Sequence, residues 1–242
     1  MAVLFSDIAG YTQISAALDP FELQRVLNGL YSEYDVLVDR HGLFRLEIVG
    51  DAYIVVANLH EQYPDYMVRL ALFAQDMART ASSVHFQSAN GDRLPVRLRI
   101  GIHAGPVVAT VLGSDRPRFT LVGDTMNTAS RMESTSIPGR IQMSAVAAAL
   151  LRAQSLELSK SLEPRGELDI KGKGRMLTFF LKVGGRSVCP APWPCMEDRP
   201  APFLGGRRRS RAWSTKPLAR TPRHSSRQRR CPPSAPRPRS RS

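Results

Sequence analysis

Twice in this chain an apolar run breaks at a glycine with an aspartate close by: Val3-Leu4-Phe5-Ser6-Asp7-Ile8-Ala9-Gly10 and Leu46-Glu47-Ile48-Val49-Gly50-Asp51-Ala52-Tyr53. Short runs of Val, Ile, Leu and Phe bounded by glycine read as buried strands, so each aspartate falls at a strand end. Asp and Gly also make turns, and a turn alone would account for either segment. Two such ends together point to a metal. Glycine lets backbone approach a ligand closely, and carboxylates converging from neighbouring strand ends suit Mg²⁺, which takes oxygen ligands and completes its shell from phosphate. Asp7 and Asp51 are the candidate metal ligands. Far downstream, Gly123-Asp124-Thr125-Met126-Asn127-Thr128-Ala129-Ser130-Arg131 opens a polar helix. Asn127 and Arg131, four apart, share one face of it, as they also would on a merely solvated helix.

The intervening pattern alternates strands and helices. Asp19-Pro20 marks a helix start, and Leu23, Val26, Leu27, Leu30, Tyr31, Tyr34, Leu37 and Val38 keep helical spacing up to Gly42. Strands are expected over Leu43–Glu47 and Ala52–Ala57, a helix over about Tyr63–Ala81, and a strand pair from Val96–Ile102 with Val107–Leu112. A short helix over Ser144–Ala153 and a hairpin of Gly166–Ile170 with Met176–Val183 around Lys171-Gly172-Lys173-Gly174 complete an α+β layer, one mixed sheet with helices packed on it. His103, in an apolar strand, reads as a structural histidine.

Charge divides the chain at Val183. Of the 34 Lys and Arg, 15 lie beyond it, against two of the 21 Asp and Glu, so residues 184–242 carry the whole net charge of +13 and residues 1–183 balance at zero. The tail also holds 11 of the 18 prolines and all three cysteines, without apolar periodicity. Such a segment cannot bury enough surface to offset its ordering entropy, so residues 184–242 are expected to be a disordered basic tail. Residues 1–183 suffice for one domain, contain no run near the ~20 apolar residues of a membrane span, and begin with nothing like a signal peptide. Cys189, Cys195 and Cys231 lack histidines at zinc-finger spacing.

Five collinear segments carry a family resemblance: Phe5–Thr12, Val49–Tyr53, Gly101–Val107, Gly123–Ser134 and Ile170–Gly174. From about Ala2 to Val183 the chain resembles the catalytic domain of class III nucleotidyl cyclases, the adenylate and guanylate cyclases. The resemblance implies a ferredoxin-like βαββαβ core with additions. It also implies a reaction in which the ribose 3′-oxygen of a nucleotide attacks its own α-phosphate and expels pyrophosphate, assisted by two Mg²⁺ (or Mn²⁺) ions. Asp7, Asp51 and the Ile8 carbonyl would hold the metals, while the amides of Ala9, Gly10, Tyr11 and Thr12 would cradle β- and γ-phosphate oxygens. Asn127 would position the ribose, Arg131 would meet charge developing on the α-phosphate, and Lys171, with Lys173 as a substitute, would reach the terminal phosphates. No side chain stands out as a general base.

The positions matching the family's purine readers are Glu47 and Thr120. A carboxylate accepts from guanine N1–H and N2–H₂ but opposes the N1 acceptor of adenine, so Glu47 argues for GTP. Thr120 stands where guanylate cyclases usually carry cysteine and adenylate cyclases often aspartate, and its hydroxyl serves either base. Thr110 replaces a common glycine, and Tyr11 a phenylalanine. The expectation is a guanylate cyclase, with an adenylate cyclase or a catalytically silent cyclase-like domain as alternatives. The resemblance further implies a site shared between two copies, hence a homodimer or a heterodimer with another cyclase domain, in the cytosol or on the cytoplasmic side of a membrane. The arginine-rich tail is a candidate for salt-sensitive polyanion binding.

Overall fold

The computed structural model describes residues 1–87 and 93–184. β1 (Ala2–Ile8) leads through a short α1 (Tyr11–Ala17) into α2 (Pro20–His41). The Asp19 carboxylate accepts from the Phe21 amide at 3.3 Å, Pro20 takes the first helical position, and Gly42 ends the helix at φ 63°, where a side chain would be strained. Next come the hairpin β2 (Phe44–Val49) and β3 (Ala52–Ala57), then α3 (Tyr66–Ser83), β4 (His85–Gln87), β5 (Arg93–Pro95) and β6 (Leu98–Ala104). The hairpin β7 (Val108–Leu112) and β8 (Arg118–Val122) precedes α4 (Asp124–Ser134). The chain continues through β9 (Arg140–Ser144), α5 (Ala145–Gln154), α6 (Leu156–Ser159), β10 (Leu162–Ile170) and β11 (Gly174–Leu181).

Seven strands form one mixed sheet in the order β10-β11-β9-β6-β1-β3-β2, in which β6 and β9 run parallel and the other neighbours antiparallel. The run β6-β1-β3-β2, with α2 and α3 in its connections, is the expected βαββαβ core. Alternation along the strands builds two hydrophobic layers. Leu4, Val55, Ile100 and Ile102 face α2, α3 and α5, whereas Val3, Ile54 and Val56 face Leu121 and Ala129, the latter on α4. Between α2 and α3, buried His41 and Asp76 meet at 2.8 Å.

One expected pairing is corrected. The segments Val96–Ile102 and Val107–Leu112 contribute β6 and β7, but these do not pair: β6 lies between β1 and β9, while β7 pairs with β8 in a separate two-stranded sheet. The cause is burial. β6 is buried at five of its seven residues and belongs at the sheet centre, whereas most of β7 is exposed. β8, with Arg118-Phe119-Thr120 at its start, lacks the apolar alternation that would mark it as a strand.

The tail expected over 184–242 lies outside the described residues from position 185 onward. Among the described residues no helix is long and apolar enough to cross a membrane.

Candidate active site

Antiparallel pairing of β1 with β3, which sets Ser6 opposite Tyr53, brings Asp7 and Asp51 to the same end of the sheet. Gly50 turns the β2–β3 hairpin at φ 63°. Behind it, the Asp51 carboxylate accepts from the Ile8 amide at 3.2 Å and lies within hydrogen-bonding reach of Asp7. Burial, then Asp7 beside it, pushes the Asp51 carboxyl up to about 6. Asp51 itself has no cationic partner among the described residues; Asp7 is the member of the pair that meets one, Arg99. No group of three or more His, Cys, Asp or Glu side chains able to hold a metal occurs among the described residues. An ion here would therefore rest on two carboxylates with backbone and substrate oxygens, a donor set that fits Mg²⁺.

Gly10, at φ 76°, caps the short α1. The Ala9 amide donates to the Arg97 carbonyl at 2.8 Å, which removes it from the expected phosphate cradle and leaves Gly10, Tyr11 and Thr12 to form that turn. Arg99, opposite Asp7 in the β1–β6 register, ion-pairs with Asp7 and donates from Nε to Glu133 at 2.9 Å. Sequence reading passed over Arg99. Its signal was a charged residue inside the mostly apolar Leu98–Ala104 strand.

On α4, Thr125, Thr128, Ala129, Met132 and Glu133 are buried against the sheet. The approach is close because Gly101 lies beneath: a Cβ there would stand 1.9 Å from the Glu133 amide nitrogen. At 100° per residue Asn127 and Arg131 fall on the side of the helix away from the sheet, with Asn127 exposed and Arg131 half-buried. Neither side chain has a hydrogen-bonding partner among the described residues.

Glu47 on β2 ion-pairs with Arg118 on β8, and Thr120 lies two residues further along β8, opposite Thr110. Lys171 is exposed in the β10–β11 turn, while Lys173 is held by Asp124 at the start of α4, so among the described residues Lys171 is the free cation of the pair. His103 shares a 2.7 Å hydrogen bond with Ser144, and burial holds its pKa below the ordinary histidine value, as befits a structural group.

The structure thus forms two sets. Asp7, Ile8 and Asp51 meet at one strand end, and Glu47 meets the β8 strand that carries Thr120. No hydrogen bond or ion pair among the described residues joins the first set to Glu47, Thr120, Asn127, Arg131 or Lys171. Asp7 shares sheet parity with Val3 and Phe5, on the face that α4 covers, yet Asn127 and Arg131 point away from that face.

Residues 1–183 match the family model described as adenylate and guanylate cyclase catalytic domain. The human guanylate cyclase soluble subunit beta-2 is 41% identical over 197 residues, covering 78% of this chain and 31% of that protein, so the chain spans under a third of the length of this relative. The guanylate cyclase domain of RhGC from Catenaria anguillulae, solved in complex with GTP, is 38% identical with a TM-score of 0.66, covering 75% of this chain and 94% of that one. A non-canonical dimeric guanylyl cyclase domain of the RhoGC fusion protein from Blastocladiella emersonii is 36% identical with a TM-score of 0.61, covering 74% and 94%.

Proposed function

This chain belongs to the adenylate and guanylate cyclase catalytic domain family, and from that premise we propose that it is a guanylate cyclase, converting GTP to 3′,5′-cyclic GMP and pyrophosphate. The observation that carries the reading is the carboxylate pair Asp7 and Asp51 brought together at one sheet end, with Asp51 pushed up to about 6 by burial and by Asp7 beside it. Two Mg²⁺ (or Mn²⁺) ions bound there with the Ile8 carbonyl would help the ribose 3′-hydroxyl lose its proton and would neutralise charge on the leaving pyrophosphate.

The protein's own groups do the rest. Amides of Gly10, Tyr11 and Thr12 donate to the β- and γ-phosphates, and Lys171 reaches the same oxygens. Arg99 holds Asp7 in place and adds positive charge beside the triphosphate. Asn127 orients the ribose, and Arg131 stabilises charge that grows on the α-phosphate oxygens in the transition state. Glu47 accepts from guanine N1–H and N2–H₂, with Thr120 beside it. An adenylate cyclase remains the second reading, because a threonine hydroxyl can also accept from adenine N6–H₂.

The active form is a dimer, either of two copies or with another cyclase domain. One chain leaves Asn127 and Arg131 turned away from its own aspartates, so a partner related by a two-fold axis completes each site. The β7–β8 hairpin exposes Val108 by 65%, Val111 by 59% and Val122 by 50%, and a two-stranded ribbon so apolar needs a cover. We place residues 1–183 as the catalytic domain, in the cytosol or at the cytoplasmic face of a membrane. Residues 184–242 carry the chain's net charge of +13, and that charge alone suggests polyanion binding. The test is to incubate the purified full chain with Mg²⁺ or Mn²⁺ and GTP or ATP, with Asp51→Ala as control. Cyclic GMP lost in the variant supports the reading, cyclic AMP instead reassigns the base, and a dimer that binds nucleotide without turnover favours a silent regulatory domain.

A further inference from the structure

The two candidate base readers sit on different sheets. Glu47 belongs to β2, at the edge of the seven-stranded sheet, and Thr120 to the separate β7–β8 ribbon. No backbone ladder joins β2 to β8, so the spacing between the readers depends on side chains. A purine edge tolerates little error, because groups that recognise it must be held within about half an ångström. The Arg118–Glu47 pair is one tie: it orients the Glu47 carboxylate, but Arg118 is 66% exposed, and an exposed ion pair fixes the spacing between the two strands only loosely.

The second tie is aromatic. Phe44 opens β2 three residues before Glu47, and Phe119 lies between Arg118 and Thr120. The Phe44 ring meets His60 edge-on with centroids 4.7 Å apart and meets Phe119 edge-on at 6.0 Å. His60 and Phe119 lie near parallel at 6.3 Å, which closes a triangle. His60 is presented by the turn after β3, where Asn58, at φ 67°, accepts from the Tyr63 amide at 2.9 Å. Each ring pair is modest, but three rigid rings in mutual contact fix both distance and rotation. Phe119 is 39% exposed, more than a ring that serves mainly to fill a core, whereas the next apolar residue, Leu121, is buried in the layer beneath α4. Leu121 anchors the ribbon, and Phe119 sets its angle.

We infer that Phe119, clasped between Phe44 and His60, is a positioning residue that sets purine selectivity by fixing Thr120 and Arg118 relative to Glu47. The inference rests on the guanylate cyclase reading of the same site. It is tested with Phe119→Ala and Phe119→Tyr in the full chain, comparing kcat and KM for GTP and ATP, equilibrium binding of 3′-deoxy-GTP and 3′-deoxy-ATP, and the thermal midpoint. Phe119→Ala should lower the GTP-over-ATP preference by about tenfold, chiefly through a higher KM for GTP, while Phe119→Tyr keeps it. An unchanged preference, or an equal loss for both nucleotides, overturns the inference. Should Phe119→Ala not fold, Phe119→Leu shortens the contact with the same expectation. If the unmodified chain makes no cyclic GMP, the catalytic reading fails by itself. The 3′-deoxy nucleotides then still decide, and equal affinity for both in the unmodified chain overturns the positioning role.

Discussion

Arg118 on β8 ion-pairs with Glu47 on β2, so the carboxylate assigned to the purine is already met by a guanidinium reaching from another sheet. The guanidinium presents the same array of N–H donors as the N1–H and N2–H₂ edge of guanine, and Glu47 is thus oriented to accept from such an edge.

Replacing Arg118 by Gln should release Glu47 from that orientation. GTP turnover is expected to fall while ATP turnover changes little, reducing the GTP preference by roughly five- to tenfold. Steady-state kinetics with both nucleotides measure it, and a preference that rises would show Arg118 to be a competitor of guanine instead.

The raised Asp51 carboxyl makes metal binding depend on proton loss. Burial and the Asp7 charge hold its pKa at about 6, so below that pH the pair retains a proton which an arriving cation must displace. Apparent Mn²⁺ affinity should therefore be level above about pH 7 and weaken by up to roughly tenfold per pH unit below 6. Titration calorimetry across pH 5 to 8 reads this directly, and the step should vanish in Asp51→Asn along with most of the affinity.

Gly101 is where α4 comes closest to the sheet. An added Cβ would stand 1.9 Å from the Glu133 amide nitrogen, so the helix must shift as a body. Gly101→Ala should cost about 3 kcal/mol or more and loosen the Arg99–Glu133 contact. Urea unfolding provides the number. A cost below about 1 kcal/mol would mean that α4 accommodates the methyl group without strain.

Much of this was legible beforehand because the signals were local. Asp19-Pro20 and Gly42 bounded α2, and glycine beside aspartate marked both strand ends. What escaped depended on partners distant in sequence. Nothing in Val96–Ile102 announces that it pairs with β1 and β9 in preference to β7, and nothing in Arg118 announces Glu47, 71 positions earlier. The Ala9 amide looked available until Arg97 was found across the strand pair. The Lys171 and Lys173 alternatives were separated by Asp124, which a helix start displays but whose reach a sequence does not.

The two-set geometry predicts complementation. Asp7→Ala removes a metal carboxylate but leaves the outward face of α4 intact, and Arg131→Ala does the reverse. Each homodimer should be inactive. When the two are mixed and allowed to exchange, half of the dimers should be hybrids, each with one site that draws its aspartates and its arginine from undamaged chains. Activity should recover to about a quarter of the unmodified level, because one in four sites is whole. Mixing at rising concentration with sedimentation in parallel tests it. Recovery that tracks hybrid formation supports a shared site, whereas a fully active monomer, or no recovery in demonstrated hybrids, would mean that each chain completes its own.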